Sequence, residues 1–150
     1  HLLQTLTVSD VLTRKFEKIP ERTSIAEIKA LFTRLPDETF VVVDGNDKLV
    51  GTISLADLKH IVFDDGLDAL INARDVAHSQ APAPGGDDTL EEVLAIMDVS
   101  GEEHLAVIAA VDDRSVLGVV HHSDVLRAYN RALLEAQAEE HDGESDSRKY

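Results

Sequence analysis

Apolar and polar positions along this chain follow two periods, and the whole pattern comes twice. From Ser24 the apolar positions fall at Ile25, Ile28, Leu31, Phe32 and Leu35, a three-and-four spacing that predicts one helix face over 24–35. Ser24 and Glu27 stand three apart at its start, where serine oxygen and glutamate carboxylate can each meet an unpaired helix-start amide. Two β-branched runs, 40–44 and 48–53, flank Asp44-Gly45-Asn46-Asp47 and predict a hairpin, after which Ser54 caps a helix reaching about Phe63. The order then recurs. Thr89-Leu90-Glu91-Glu92 repeats the cap, Leu90, Val93, Leu94, Ile96 and Met97 repeat the helix face, and 105–110 with 115–120 repeat the hairpin before a last helix over 123–139. Leu2, Leu3 and Leu6 form an amphipathic lead-in to Val8-Ser9-Asp10-Val11-Leu12, and Leu67, Leu70 and Ile71 suggest a short helix between the halves.

The recurrence is a duplication. Leu49-Val50-Gly51-Thr52-Ile53-Ser54-Leu55-Ala56-Asp57-Leu58 returns 67 positions later as Val116-Leu117-Gly118-Val119-Val120-His121-His122-Ser123-Asp124-Val125. Upstream the offset is 65, with Asp10-Val11 on Asp75-Val76, Ser24 on Thr89, Glu27 on Glu92 and Phe40 to Val43 on Leu105 to Ile108. The two extra residues fall between Ile108 and Gly118, where a hairpin loop tolerates them. A glycine at the same place in both strands marks a close backbone approach. Ala81-Pro82-Ala83-Pro84-Gly85-Gly86 cannot be a central strand, because proline has no amide to donate. The reading divides the chain into 1–71, 72–139 and a polar tail, 140–150, expected to be disordered. A half of about 65 residues is marginal alone, so the two should share one core.

Composition removes several functions. In 150 residues, 29 acidic against 14 basic side chains give a net charge of -15 and a pI near 4.6, which argues against nucleic acid and anionic membrane surfaces as partners. No cysteine is present, which excludes disulfides and thiolate metal sites. The longest apolar run, 105–111, is strand-sized, so this chain is not expected to insert in a membrane. With His1 first and its sole methionine internal at Met97, the chain is expected to be part of a longer protein. There is no Gly-x-Gly-x-x-Gly, phosphate-binding loop or Gly-x-Ser-x-Gly elbow, and no enzyme is expected. His121 and His122 are helix neighbours that point apart rather than a chelating pair, and Asp64-Asp65, Asp87-Asp88, Glu102-Glu103 and Asp112-Asp113 read as solvated surface.

The order β-α-β-β-α in each half, an apolar triplet before an aspartate, and Gly-x-Φ-Ser-x-x-Asp opening the last helix resemble the CBS domain. Two in tandem resemble the CBS pair, or Bateman module, over Thr7 to Arg131, with His121 standing where the pattern has serine or threonine. Leu3 to Val11, Phe40 to Asp44 and Leu49 to Ser54 are most similar to the cytosolic C-terminal pair of prokaryotic ClC-type chloride channels and chloride/proton antiporters. The resemblance implies an α/β (α+β) fold of two tandem repeats about a pseudo-two-fold core, and a non-catalytic regulatory domain sensing adenine nucleotides between the halves. It implies Ser54 with Asp57 for one site and His121 with Asp124 for the other, with Thr13, Asp37, Thr39 and Phe40 as further lining residues. Aspartate can accept both ribose hydroxyls, while serine and helix-start amides can meet a phosphate. The ligands implied are AMP, ADP or ATP, the last with magnesium, with no cofactor required and no metal ligand of the protein's own.

The implied partners are a covalently linked membrane transport domain, with this domain on its cytoplasmic side, and a second copy, making a homodimer through Ile28, Leu31, Phe32, Val93, Ile96 and Met97. The alternatives are a ligand-free dimerisation module and a divalent-cation-sensing pair of another transporter or enzyme. Ser54 and Asp57 are equally explained as a helix cap and a favourable charge at a helix start. The first cleft, with its complete serine and aspartate pair, is expected to bind the better. Asp37, Glu38, Glu102 and Glu103 are expected to disfavour a metal-free triphosphate relative to AMP. His104 and His121, titrating near about 6.5, are expected to strengthen anion binding when protonated.

Overall fold

A computed structural model describes residues 6–59, 66, 70–80 and 82–147, and of 141–147 the backbone alone. Ser24 caps the first helix as expected: its hydroxyl oxygen accepts from the Glu27 amide at 3.2 Å, and α1 runs Ile25–Arg34. Strands β1, Glu17–Pro20, β2, Phe40–Val43, and β3, Leu49–Ile53, form a sheet in that order, β1 parallel to β2 and β2 antiparallel to β3. The helix is the crossover between the parallel strands. In the hairpin turn one Asp44 carboxylate oxygen accepts from the amides of Asn46 at 2.8 Å and Lys48 at 3.0 Å, and these bonds hold its carboxyl below the usual 3.8. A 3-10 turn, Leu55–Leu58, follows β3. The rest of the helix expected to reach Phe63, with Leu2, Leu3 and Leu67, lies outside the described residues.

The second half contains α2, Ala73–Val76, α3, Leu90–Ser100, β4, His104–Ala110, β5, Asp113–His121, and α4, His122–Ser147. Thr89 and Glu92 make both bonds of the cap, 3.2 and 3.3 Å, and Gly101 ends α3 at φ 71°. The counterpart of β1 shrinks to one parallel bridge, Gly85 with Ile108, because Pro82 and Pro84 can donate nothing to a ladder. The helix expected to stop near Glu139 instead continues to Ser147, so 140–147 are helical rather than disordered. The helix formers of 132–140, alanine, leucine, glutamate and glutamine, carry the helix into this stretch, where each further residue adds a backbone hydrogen bond without needing a core to pack on. Among the described residues no helix is long and apolar enough to cross a membrane.

The lead-ins are exchanged between the halves. Val8 is fully buried with Leu90, Val93, Met97 and Leu105 of the second half, whereas Ala73 is buried with Ile19, Ile25, Ile28 and Phe40 of the first. Thr13 donates its amide to the Val119 carbonyl at 2.8 Å and accepts from Val119 at 2.9 Å. His78 does the same with Thr52, at 2.8 and 3.0 Å. Each crossing runs over the repeated glycine: a Cβ on Gly51 would sit 2.2 Å from the His78 carbonyl oxygen, and one on Gly118 2.4 Å from that of Thr13. The packing units therefore cross the division of the sequence at residue 71.

A third cluster joins the two sheets. Strand β2 is apolar throughout because both its faces are covered, Phe40 and Val42 toward α1, Val41 and Val43 toward Ala106, Ile108 and Val119. Gln80, buried in this seam, donates to the Ala106 carbonyl at 3.1 Å and accepts from its amide at 2.8 Å, so burial leaves neither end of its amide unpaired. Lys48 reaches across to Asp113 at 2.7 Å and Ser115 at 2.9 Å, and these partners hold the Asp113 carboxyl well below the usual range. Of the apolar positions expected to face a second copy, Ile28, Phe32, Val93 and Met97 are buried in the chain's own cores, with Leu31 and Ile96 packed against them. Helical amphipathicity marks a buried face and does not say whether it meets its own sheet or a partner. Val99, Leu126 and Leu134 are the large apolar residues exposed on α3 and α4.

His104 and His121 face each other across β4 and β5, their rings edge-on with centroids 4.6 Å apart. Burial, then the neighbouring His121, lowers the His104 pKa below its ordinary 6.5, so this imidazole resists the protonation expected of it.

Two stability measurements follow from this packing. Gly51→Ala and Gly118→Ala should each cost about 2–3 kcal/mol in urea unfolding, since a backbone carbonyl cannot move aside as a flexible side chain would. Gly45→Ala, with nothing within 4 Å, should stay within about 0.5 kcal/mol; equal effects at all three would refute the crossing as the cause. The unfolded chain binds a proton at His104 more readily than the folded chain does. That contribution is therefore complete above about pH 6.5 and is lost as pH falls from there toward the lowered folded value. Stability should drop on acidification from about pH 7 to about pH 5, and His104→Asn should flatten the drop.

Candidate ligand clefts

Two clefts of similar size open beside the segment 37–39, about 320 Å³ for the first and 340 Å³ for the second. The first lies between the Ser54 to Asp57 turn and Gly101 to His104; the second lies between Thr13, Lys15 and Phe16 on one side and Val119, His121 and Asp124 on the other. Asp37, Glu38 and Thr39 line both. Under the repeat offsets Asp37-Glu38-Thr39 correspond to Glu102-Glu103-His104, and Thr13 corresponds to His78, so the clefts are pseudo-equivalent.

Thr13, Asp37, Thr39, His121 and Asp124 meet in the second cleft, and Ser54 and Asp57 meet Asp37 and Thr39 in the first. Phe40 belongs to neither. It is fully buried, its ring edge-on to Phe32 with centroids 4.7 Å apart, because strand alternation puts it with Val42 on the face that α1 covers. Two residues at the clefts were missed. Lys15 lines the second, two positions after Thr13, and His78 stands at the rim of the first. Nothing local in Ala77-His78-Ser79 marks the histidine; only its alignment with Thr13 could have found it.

The two aspartates differ. One oxygen of Asp57 accepts from the Ser54 amide at 2.7 Å and the Ser54 hydroxyl at 3.2 Å, while the other lies 2.5 Å from Nε2 of His78. Its side chain is only 13% exposed. Asp124 is 43% exposed, with Arg127 one helical turn on at 3.5 Å. The aspartate of the cleft expected to bind the better is thus the more engaged of the two. Charge also separates the clefts: Asp37, Glu38, Asp57, Glu102 and Glu103 line the first, whereas Asp37, Glu38 and Asp124 share the second with Lys15. Among the described residues no group of three or more histidine, aspartate and glutamate side chains could hold a metal ion.

Comparison with known proteins agrees with this architecture. The CBS domain family matches residues 8–64 and again residues 73–131. No curated protein sequence matches the chain. Among solved structures, CBSX2 in complex with AMP is 20% identical with a TM-score of 0.69, over 84% of this chain and 97% of that one. The CBS domain of a bacterial CNNM/CorC family Mg2+ transporter in complex with ATP is 15% identical with a TM-score of 0.70, over 85% and 89%. A CBS domain pair in complex with 5'-methylthioadenosine and S-adenosyl-L-methionine is 20% identical with a TM-score of 0.67, over 84% and 97%. At such identities the likeness is one of fold, but the two family matches together span most of the sequence, and the chain belongs to the CBS-domain family as a tandem pair.

Proposed function

We propose that this pair is a non-catalytic regulatory module that senses an adenine nucleotide, and that the nucleotide binds in the second cleft. One observation carries the reading: a single cleft of about 340 Å³ is lined by both Asp124, whose carboxylate is open, and Lys15. A carboxylate suits two ribose hydroxyls and a lysine suits a phosphate, so one nucleoside monophosphate uses both. The AMP, ATP and S-adenosylmethionine complexes among similar folds support an adenine-bearing ligand. With the acidic 37–38 segment beside it, this cleft favours AMP over metal-free ATP.

The regulated partner in this reading is a membrane transport domain on the same polypeptide, with the pair on its cytoplasmic side. The phrasing of 40–44 and 49–54 supports a ClC-type chloride transporter, and the transporter-derived pairs of similar fold support a transporter host in general. A two-fold homodimer through α3 and α4 would cover Val99, Leu126 and Leu134.

Calorimetric titration should show AMP binding that Asp124→Ala weakens by about 1–3 kcal/mol, the worth of a charge-assisted hydrogen bond. Lys15→Ala should weaken AMP and leave adenosine unchanged, because only the phosphate meets the ammonium. An Asp124→Ala protein that binds AMP like the parent would move the ligand out of this cleft. Light scattering at micromolar concentration should return the dimer mass, and the monomer mass throughout would exclude the two-fold assembly.

A further inference from the structure

The structure assigns His78 as a built-in occupant of the first cleft's aspartate, a gate that keeps ribose-bearing ligands out, so that the pair binds one nucleotide and not two. This rests on reading the clefts as nucleotide sites.

The argument starts from the two crossings. Thr13 and His78 hold equivalent places: each pairs in both directions with the residue after the repeated glycine, and each presses its carbonyl oxygen on that glycine. Matching backbone registers start the two side chains from matching points beside the two aspartates. Thr13 is short, and its hydroxyl is engaged locally with the Lys15 backbone, at 3.4 Å to the carbonyl and 3.3 Å from the amide. His78 is long enough to span the rim, and its Nε2 reaches an Asp57 oxygen at 2.5 Å.

That contact closes the carboxylate. At 2.5 Å, Nε2 leaves no room for another group against that oxygen. The other oxygen already accepts from the Ser54 amide and hydroxyl. A ribose that needs two acceptor positions on Asp57 must therefore displace the imidazole. The imidazole is 56% exposed, with Glu102 as its second acidic neighbour at 3.7 Å from Nδ1, so it is held by polar contacts at the rim instead of by packing. A group held so can swing away, which distinguishes a gate from a fixed core contact. Among the described residues the ion partner of the second aspartate is Arg127 on the same helix, one turn on, and the hydroxyl of the crossing residue is engaged with Lys15 instead.

Exchanging the two crossing residues tests this. Calorimetry should find one AMP per chain for the parent protein and two for His78→Thr, a residue that the equivalent crossing already carries. Asp124→Ala alone should weaken the parent's one AMP event roughly 5- to 140-fold, whereas in Asp124→Ala with His78→Thr the event gained by His78→Thr should keep its affinity, placing it in the first cleft. Thr13→His should lose the parent event by closing the second cleft, and it carries the test if His78→Thr fails to fold by circular dichroism. One AMP bound by both the parent and a folded His78→Thr would overturn the gate and leave the nucleotide reading intact, as would two bound by the parent. No AMP bound by the parent but one by His78→Thr would support the gate while removing the second cleft as the site. No AMP bound by any of these proteins would overturn both readings.

Discussion

Two backbone crossings, His78 over Gly51 and Thr13 over Gly118, are the constraint on which the rest of the molecule depends. Each joins a lead-in from one half to the last strand of the other, and each is possible only because the residue beneath has no Cβ. The consequence is that neither half owns a complete core: Val8 completes the second and Ala73 the first. A fragment of either half would leave apolar positions open that its partner's lead-in normally fills, so the two repeats stand or fall together. The same crossings set the ends of the clefts, because residues 13 and 78 arrive beside the strands that lead to Asp124 and Asp57. Folding and ligand access are therefore fixed by one piece of geometry.

Between the crossings the sheets meet through side chains instead of a continuous ladder. Gln80 lends its amide to Ala106 as a strand edge would, and Lys48 ties its turn to Asp113 and Ser115. A seam built this way buries Val41, Val43, Ala106 and Ile108 while leaving the approaches to β2 and β4 free of strand pairing. Those approaches are 37–39 and 101–104, and they become cleft walls. The acidic character of the clefts thus comes from segments with no part in the core, where sequence is unconstrained by packing.

What was legible in the sequence was what is encoded locally. The spacing of Ile25, Ile28 and Phe32, the caps at Ser24 and Thr89, and the β-branched runs around Asp44 each specify an element within a few residues, and each element formed. The repeated glycine was legible as a close approach because two copies stand in one register, although what approached was not. Sites fared less evenly. The resemblance brought seven of its eight residues to the clefts and failed at Phe40, whose strand parity a motif does not state. His78 and Lys15 were invisible for a different reason. The contact between His78 and Asp57 joins residues 21 positions apart through an exchanged lead-in, and no periodicity or spacing rule reports such a contact. The length of α4 was misjudged because lack of core-facing residues argues against packing, not against continuing a helix already formed upstream.

The duplication also shows where the two sites parted. Positions that hold the fold match in kind: Gly51 with Gly118, Ser24 with Thr89. Around the matching aspartates, Asp57 and Asp124, the other positions that would meet a ligand do not. Thr13 answers to His78, Lys15 to Gln80, and Ser54 to His121. At the first cleft the lysine has become the glutamine that seals the seam, so the cation is spent on structure. The first cleft then carries five carboxylates along its lining with no lysine, against three with one lysine in the second. Like charges repel, so an AMP admitted to the first cleft would bind more weakly than in the second. The charge argument and the His78 contact are independent, one acting on the phosphate and the other on the ribose, and both point the nucleotide toward Asp124.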